Sequence, residues 1–181
     1  MRKFEEKTLT TEKIFDGKII SVQVDEVKLP DGNVSKREIV KHPGAVAVIP
    51  VTSDGKIIFV EQFRKPLDRS LIEIPAGKIE LDEAPEVTAK RELEEETGYT
   101  TDTLTYVTSF FTSPGFSNEI IHIYFTDQLQ KLKNEVACDE DEFIELIELT
   151  LPEAEQYMTD KLIYDAKTVY AIAYLKLLGM R

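Results

Sequence analysis

Three glutamates within one short stretch carry the clearest chemical signal of the sequence. Residues 91–98 read RELEEETG, and at about 100° per helical residue Glu92, Glu95 and Glu96 fall within an arc of about 100°. Clustered carboxylates repel one another unless cations neutralise them. Hard oxygen ligands at this spacing suit Mg²⁺ or Mn²⁺. The stretch predicts a divalent metal site, and the alternative is a solvated charged face of a helix.

The position of these glutamates breaks local rules of helix design. Gly98 is typical of a residue just past the end of a helix, where the partial negative charge of the helix favours cations over glutamates. Pro85 suits the first helical position, although Ala84 is a poor N-cap. We therefore expect a helix over residues 85–97, with Arg91 available to pair with and orient one carboxylate.

The elements around this helix are mostly strands joined by short turns. Punctuated or alternating apolar patterns predict strands within residues 13–41, 44–51, 56–64, 71–79, 103–111, 119–129 and 141–150. A short helix is expected within residues 151–160. A second helix is expected within 164–179, with an apolar stripe at Val169, Ile172, Ala173 and Leu177. This order predicts an α+β fold with a mixed or mostly antiparallel sheet.

Composition restricts the function classes. The 181 residues carry a net charge of −12, which argues against nonspecific binding to nucleic acid or anionic membranes. A count of only two histidines argues against a zinc site built from histidine. The single cysteine suits a reducing compartment. With neither a membrane-spanning apolar run nor a signal-peptide core, we expect a cytoplasmic protein.

The residues flanking the acidic stretch identify a family. Residues 77–99 match the Nudix box at seven spaced positions, namely Gly77, Glu83, Arg91, Glu92, Glu95, Glu96 and Gly98. A random match has odds on the order of 10⁻⁸ per window. The chain therefore resembles the Nudix hydrolases, metal-dependent enzymes that cleave a nucleoside diphosphate linked to another group. The resemblance implies a mixed sheet sandwiched between helices, with an antiparallel N-terminal extension over residues 1–42 and a catalytic domain over 43–181.

Further motifs resemble one branch of this family. IPAGKIE at 74–80, KREIVKHPGAVAV at 36–48 and VEQFRKP at 60–66 are similar to ADP-ribose pyrophosphatases of the bacterial NudF type. Pro114 follows Tyr99 at the offset that marks these enzymes. The resemblance implies hydrolysis of ADP-ribose to AMP and ribose 5-phosphate with Mg²⁺, which Mn²⁺ can replace. Related nucleotide-sugar pyrophosphatases share most of these motifs.

The resemblance also implies roles at the metal site. Glu92, Glu95 and Glu96 would serve as catalytic residues and metal ligands, and the carbonyl of Ala76 would be a further ligand. The catalytic base would come from the acidic stretch CDEDEF at 138–143. Glu140 is the predicted base and Glu142 a metal-binding partner, with Asp139 and Asp141 as adjacent alternatives for these positions.

Substrate contacts are implied at positions outside the box. Arg64 and Arg37 would face phosphates, Glu38 a polar group of adenine or ribose, and Phe15 could stack on adenine or instead belong to a small core. His42 is expected to begin a strand and to touch substrate, whereas His122 is expected to be structural. The loop around the marker proline would hold the terminal ribose through Ser113, Pro114, Gly115 and Glu119.

Three functions remain open at this point. The first is ADP-ribose hydrolysis by a homodimer, in which the N-terminal sheet of one subunit helps to build the adenosine site of the other. The second keeps the chemistry and changes the substrate to a nucleotide sugar such as ADP-glucose or GDP-mannose. The third is a domain that binds a nucleotide without cleaving it, which the intact set of box carboxylates disfavours.

Overall fold

The computed structural model describes residues 3–133 and 143–180. The chain divides into two compact units, one formed by Met1–Gly44 with Phe111–Ile120, the other by Ala45–Phe110 with Ile121–Arg181. We call them unit 1 and unit 2. The predicted residues Glu140 and Glu142, together with their alternatives Asp139 and Asp141, lie outside the described residues.

The described elements follow the predicted order of strands and helices. The strands are β1 Lys7–Asp16, β2 Ser21–Lys28, β3 Val34–Lys41, β4 Ala45–Pro50, β5 Ile57–Arg64, β6 Arg69–Glu73, β7 Ala76–Lys78, β8 Tyr99–Thr100, β9 Thr105–Phe111, β10 Ile120–Thr126, β11 Gln130–Lys131 and β12 Ile144–Leu149. The helices are α1 Pro85–Thr97, α2 Leu151–Thr159 and α3 Ala166–Leu177, and Lys65–Leu67 forms a single 3₁₀ turn. No helix in the described ranges is long and apolar enough to cross a membrane.

Unit 1 is built on an antiparallel sheet in the order β1-β2-β3. The predicted hairpin between β2 and β3 is confirmed: Gly32 has a φ of 93° and donates its N–H to the carbonyl of Leu29 over 2.9 Å. Such a positive φ favours glycine. β1 starts at Lys7, earlier than predicted, and all ten of its residues are exposed.

Unit 2 contains a mixed four-stranded sheet in the order β7-β4-β10-β9. β4 pairs in parallel with β10 and antiparallel with β7, which confirms the α+β prediction. Alternate side chains of β4 face two apolar clusters. Val46 and Val48 pack in a cluster with Leu93 of α1, whereas Ala47 belongs to a second cluster that includes Ile172 of α3. The sheet is thus covered by a helix on each face, and α1 is anchored to it by its apolar side.

The buried stripe of α3 is rotated from the predicted one. The buried residues are Thr168, Ala171, Ile172 and Leu175, while Leu177 is 87% exposed. The prediction of Ala173 and Leu177 as core residues was therefore wrong. The physical reason is Thr168, whose hydroxyl accepts the N–H of Ile74 over 3.0 Å and so satisfies a buried backbone donor.

A buried ion network joins β5, β6 and α3 within unit 2. The Glu73 side chain is 3% exposed and accepts from Arg64 through Nε at 2.7 Å and Nη2 at 2.8 Å. Lys167 donates to the same carboxylate and to Asp165. Burial alone would raise the pKa of Glu73, but the hydrogen bonds of Arg64 and the charge of Lys167 lower it from 4.5 to about 2.

We predict that Glu73→Gln lowers the free energy of unfolding by about 3 kcal/mol at pH 7. Because the folded pKa is depressed, the carboxylate stabilises the protein above about pH 4.5, and this contribution is lost as the pH falls toward 2. Urea denaturation at several pH values should show the difference between wild type and variant shrinking below pH 4.5.

The matched control is Glu148→Gln, which removes an ion pair with Lys56 whose side chains are 38% and 41% exposed. Its effect should stay within about 0.5 kcal/mol. A Glu73→Gln penalty that is the same at pH 7 and pH 3 would contradict the assignment of the network as charge-dependent.

Candidate active site

The acidic stretch lies on α1, directly after strand β7 and a short loop. The helix spans Pro85–Thr97, as predicted, and ends at Gly98, whose φ is 68° and whose N–H reaches the carbonyl of Glu94 over 3.0 Å. Ala84 provides no side-chain cap. The packing of Ala89 and Leu93 against the sheet therefore fixes the helix, and its carboxylates are placed by that packing.

Arg91 is the centre of the carboxylate cluster. Its Nη1 donates to Glu92 Oε1 and to Glu95 Oε2, each over 2.8 Å, and its Nη2 donates to Glu83 Oε2 over 3.1 Å. Burial opposes the charge of Arg91, but the hydrogen bonds and charges of these glutamates raise its pKa above the ordinary value. The hydrogen bond from Arg91 lowers the pKa of Glu83 in turn. The guanidinium compensates the repulsion that the sequence implied.

Glu92 and Glu96 are the buried members of the cluster, at 8% and 6% exposure. The N–H of Ala76 donates to Glu96 Oε2 over 2.9 Å. At Gly77, an added Cβ would lie 2.0 Å from the carboxyl carbon of Glu92. A Cβ at this position would force the Glu92 carboxylate to move, so the glycine of the box is explained by close approach rather than by a turn.

The oxygen atoms near the acidic stretch are of the chemical type that binds divalent cations. Glu92, Glu95, Glu96 and the backbone of Ala76 present hard oxygens from adjoining elements. Within residues 3–133 and 143–180, no group of three His, Cys, Asp or Glu side chains is arranged to hold an ion. The carboxylates instead contact Arg91 and the Ala76 N–H, so ion binding requires them to exchange these partners.

In unit 1, the structure brings together several of the predicted substrate contacts. Arg37, Glu38 and Gly115 line a cavity of about 550 Å³. They also line a second cavity, of about 320 Å³, to which Pro114 contributes. Arg37 already donates to Glu6 through Nε at 2.8 Å and Nη2 at 2.6 Å. That pair was not predicted, because an N-terminal glutamate in a charged segment gives no distinguishing signal.

The loop after β9 is tied to β3 by backbone bonds. Val40 donates its N–H to the carbonyl of Phe116 over 2.8 Å, and the carbonyl of Ser113 accepts the N–H of Phe116 over 3.1 Å. His42 donates its N–H to Asn118 Oδ1 over 2.8 Å, which fastens the loop a second time. The loop that carries the marker proline is thus held rigidly to the edge of the sheet.

Two histidine predictions have different outcomes. His42 follows β3 and lies before β4, so the expectation that it begins a strand was wrong. Its Nδ1 accepts the N–H of Gly44 over 3.1 Å and lies 3.8 Å from Glu119 Oε1. This local hydrogen bond replaces strand pairing. His122 lies within β10 and pairs with Ser109 Oγ over 2.7 Å, as a structural residue would.

Neither Phe15 nor Arg64 is among the residues that line the two cavities. Phe15 is 53% exposed at the end of β1, with its ring against Gly17, and lines neither cavity. Arg64 ends β5 in its pair with Glu73. The signal for that pair was present in the sequence, because a glutamate inside the apolar run LIEIP requires a buried partner.

The sequence is similar to proteins of established families. Residues 41–170 match the family described as NUDIX domain, and residues 6–40 match the nucleoside diphosphate sugar hydrolase N-terminal domain. The chain is 57% identical over 177 residues to an ADP-ribose pyrophosphatase of Bacillus subtilis (strain 168), covering 98% of this chain and 96% of that protein. It is 60% identical over 174 residues to a methanol dehydrogenase activator of Bacillus methanolicus, covering 96% and 94%.

More distant similarities extend the comparison. A GDP-mannose pyrophosphatase of Cronobacter sakazakii is 35% identical over 160 residues, with 83% of each chain covered. The crystal structure of an ADP compounds hydrolase superposes with a TM-score of 0.83 at 20% identity, covering 97% of this chain and 96% of that chain. This structural likeness supports the fold.

We predict that Gly77→Ala displaces the Glu92 carboxylate and weakens Mn²⁺ binding by at least about tenfold, because the new methyl group occupies its place. Isothermal titration with Mn²⁺ measures the affinity, and circular dichroism checks that the protein remains folded. Val87→Ala, at a 57% exposed position of the same helix, is the control and should bind Mn²⁺ like wild type. If a folded Gly77→Ala variant bound Mn²⁺ with wild-type affinity, the prediction that Glu92 is a metal ligand would be wrong.

Proposed function

Because the chain belongs to the NUDIX family, as the box at residues 77–99 predicted, we propose that it hydrolyses the pyrophosphate bond of ADP-ribose to AMP and ribose 5-phosphate. The observation that carries this proposal is the burial of Glu92 and Glu96 on α1, packed against a glycine that leaves room for the carboxylate. The ADP-ribose pyrophosphatase of Bacillus subtilis, similar over nearly the whole of both chains, supports the choice of substrate.

The proposed cofactor is Mg²⁺, with Mn²⁺ as a substitute. When bound, such an ion would offset the charge that develops on the phosphate and would activate the attacking water. The proposed ligands are Glu92, Glu95 and Glu96 with the carbonyl of Ala76, joined by Glu142. Arg91 keeps the carboxylates oriented in the absence of the ion, since its hydrogen bonds hold Glu92 and Glu95 at fixed positions.

The proposed general base is Glu140, which would take a proton from the attacking water. Because it lies outside the described residues, this assignment rests on the resemblance, as does that of Glu142. Arg64 is proposed to contact phosphate. Glu73 engages its Nε and Nη2, which fixes the guanidinium and leaves Nη1 as the nitrogen that Glu73 does not use.

The remaining proposed substrate contacts belong to unit 1. Arg37, Glu38, Pro114 and Gly115 line its cavities, which supports their assignment as substrate residues. For Phe15, His42, Ser113 and Glu119 the assignment rests on the resemblance. The division into an N-terminal extension over 1–42 and a catalytic domain over 43–181 likewise remains a prediction.

We further propose a cytoplasmic homodimer. The exposed strand β1 carries apolar side chains that water disfavours, including Leu9 at 45% and Ile14 at 56% exposure. A second copy of the chain would cover them. A reducing compartment suits a chain with a single cysteine.

The second candidate substrate is a nucleotide sugar, which the GDP-mannose pyrophosphatases support. Purified chain with Mg²⁺ should be incubated separately with ADP-ribose, ADP-glucose and GDP-mannose, and nucleotide products separated by chromatography. We predict that AMP from ADP-ribose appears well ahead of the other products. Preference for GDP-mannose would keep the mechanism and replace the substrate, and no turnover of any compound would favour a binding domain without catalysis.

We predict that Glu96→Gln lowers kcat by more than about 100-fold, because a metal ligand of this kind contributes several kcal/mol to the transition state. Glu94→Gln is the matched control: it changes a neighbouring glutamate whose carboxylate accepts from Thr100 rather than from Arg91. It should retain wild-type kcat. Turnover of Glu96→Gln at the wild-type rate would refute the metal assignment.

A second function is favoured by the methanol dehydrogenase activator, which is 60% identical to this chain. We propose that the chain also activates a dehydrogenase, and that this activation requires its hydrolytic site. Methanol oxidation by a purified methanol dehydrogenase should rise when the chain and Mg²⁺ are added. Glu96→Gln should abolish the rise, whereas full activation by this variant would show that binding alone suffices.

A further inference from the structure

Phe116, an aromatic residue outside the predicted site residues, lines both of the cavities described in unit 1. Phe116 shares both of them with Arg37, Glu38 and Gly115. The larger cavity, of about 550 Å³, is also bounded by Glu12 and is big enough to take a nucleobase.

The backbone of Phe116 is fixed while its ring remains exposed. Its carbonyl accepts the N–H of Val40 over 2.8 Å, and its N–H donates to the carbonyl of Ser113 over 3.1 Å. The residue is nevertheless 57% exposed. A large apolar ring left in water forgoes the stabilisation that burial would give it. A rigid loop that presents such a ring beside a cavity is typical of a binding surface.

The polar groups of this cavity suit a base better than a phosphate. Arg37 donates Nε and Nη2 to Glu6, and Nη1 to Ser35 Oγ and the carbonyl of Lys36. With its N–H groups engaged in this way, Arg37 offers a ligand mainly the flat face of its guanidinium, which stacks on aromatic rings.

The carboxylates of the cavity point to the same kind of ligand. Glu12 and Glu38 both line it and would repel a phosphate, although Lys36 offsets part of their charge. A carboxylate accepts hydrogen bonds from the amino group of a base. The cavity therefore combines an aromatic ring, a guanidinium plane and acceptors for N–H donors.

We propose that Phe116 is a specificity-determining residue that stacks on the base of the nucleotide substrate, beside Glu38, whose contact with adenine or ribose the resemblance already implied. This inference rests on the proposed function and deepens it. It is separate from the prediction for Phe15, whose ring lies against Gly17 and lines neither cavity.

The test compares the binding of AMP, measured by calorimetry, in wild type, Phe116→Leu and Phe116→Tyr. Loss of base stacking in Phe116→Leu should weaken AMP binding by about 5- to 150-fold, whereas the aromatic tyrosine should keep it near wild type. For ADP-ribose hydrolysis, Phe116→Leu should raise KM and leave kcat unchanged. Phe63→Leu, at a 54% exposed position on β5, is the control and should behave like wild type.

Several outcomes would overturn the inference. Wild-type affinity of Phe116→Leu for AMP would do so directly. A loss of AMP binding together with a lower Tm, weaker Mn²⁺ binding or a changed oligomeric state in sedimentation would assign the ring to folding or to a contact between copies. Weak AMP binding by Phe116→Tyr would exclude stacking as the cause.

The same experiments separate this inference from the proposed function. AMP binding needs no turnover, so a wild-type chain that binds AMP through Phe116 but cleaves no ADP-ribose would refute the reaction and keep the base site. A chain that cleaves ADP-ribose with the same KM in Phe116→Leu would keep the reaction and refute the base site.

Discussion

Arg91 donates to three carboxylates, on Glu83, Glu92 and Glu95, that would otherwise repel one another. One guanidinium thus joins the loop before α1 to two turns of that helix, and it does so where the helix end itself disfavours glutamate. The arrangement concentrates negative charge in a partly buried place and balances part of it with Arg91. A divalent cation bound by these oxygens would have to compete with Arg91 and with the N–H of Ala76.

The backbone of β7 complements this arrangement on the other side. Gly77 gives Glu92 room, and the N–H of Ala76 holds Glu96. Both contacts depend on β7 lying against β4, because that pairing sets the distance between the strand and α1. The apolar contacts of Ala89 and Leu93 with the sheet therefore serve the site as well as the core. A change in core packing would move the carboxylates by as much as it moves the helix.

The ion network around Glu73 is more deeply buried than the carboxylate cluster around Arg91. Glu73 is almost fully buried, so its charge depends on Arg64 and Lys167 at all ordinary pH values. Charge from Glu96 also raises the pKa of Arg64, though less than its hydrogen bonds with Glu73 do. Arg64 is therefore electrostatically coupled both to a structural carboxylate and to one of the carboxylates on α1. Because Glu73 already holds the guanidinium, Arg64 would lose little side-chain entropy in the phosphate contact proposed for it.

Sequence reasoning predicted the parts of the structure that depend on local pattern. The bounds of α1, the hairpin at Gly32 and the order of the strands follow from spacing and turn residues, and the structure confirms them. The stripe of α3 did not follow, because Thr168 enters the core through a hydrogen bond to a distant backbone N–H. His42 does not begin a strand, because its Nδ1 accepts the N–H of Gly44 and its own N–H donates to Asn118. The pair of Arg37 with Glu6 joins residues 31 positions apart, and no periodicity encodes it. The apolar run around Glu73 did signal a buried partner, but not that the partner is Arg64.

Substrate selection must likewise depend on residues outside the motif that carries the carboxylates. Relatives at 57% and 35% identity carry names that differ in their substrates, so carboxylates proposed to act on a shared pyrophosphate do not by themselves decide which nucleotide is cleaved. Discrimination needs groups that meet the variable part of the substrate. In this chain we propose the loop at 113–118 for that contact, because its hydrogen bonds to Val40 and His42 hold its backbone while Phe116 stays exposed. A rigid aromatic residue binds with little loss of side-chain entropy, so we expect changes at Phe116 to alter selectivity more than the chemistry.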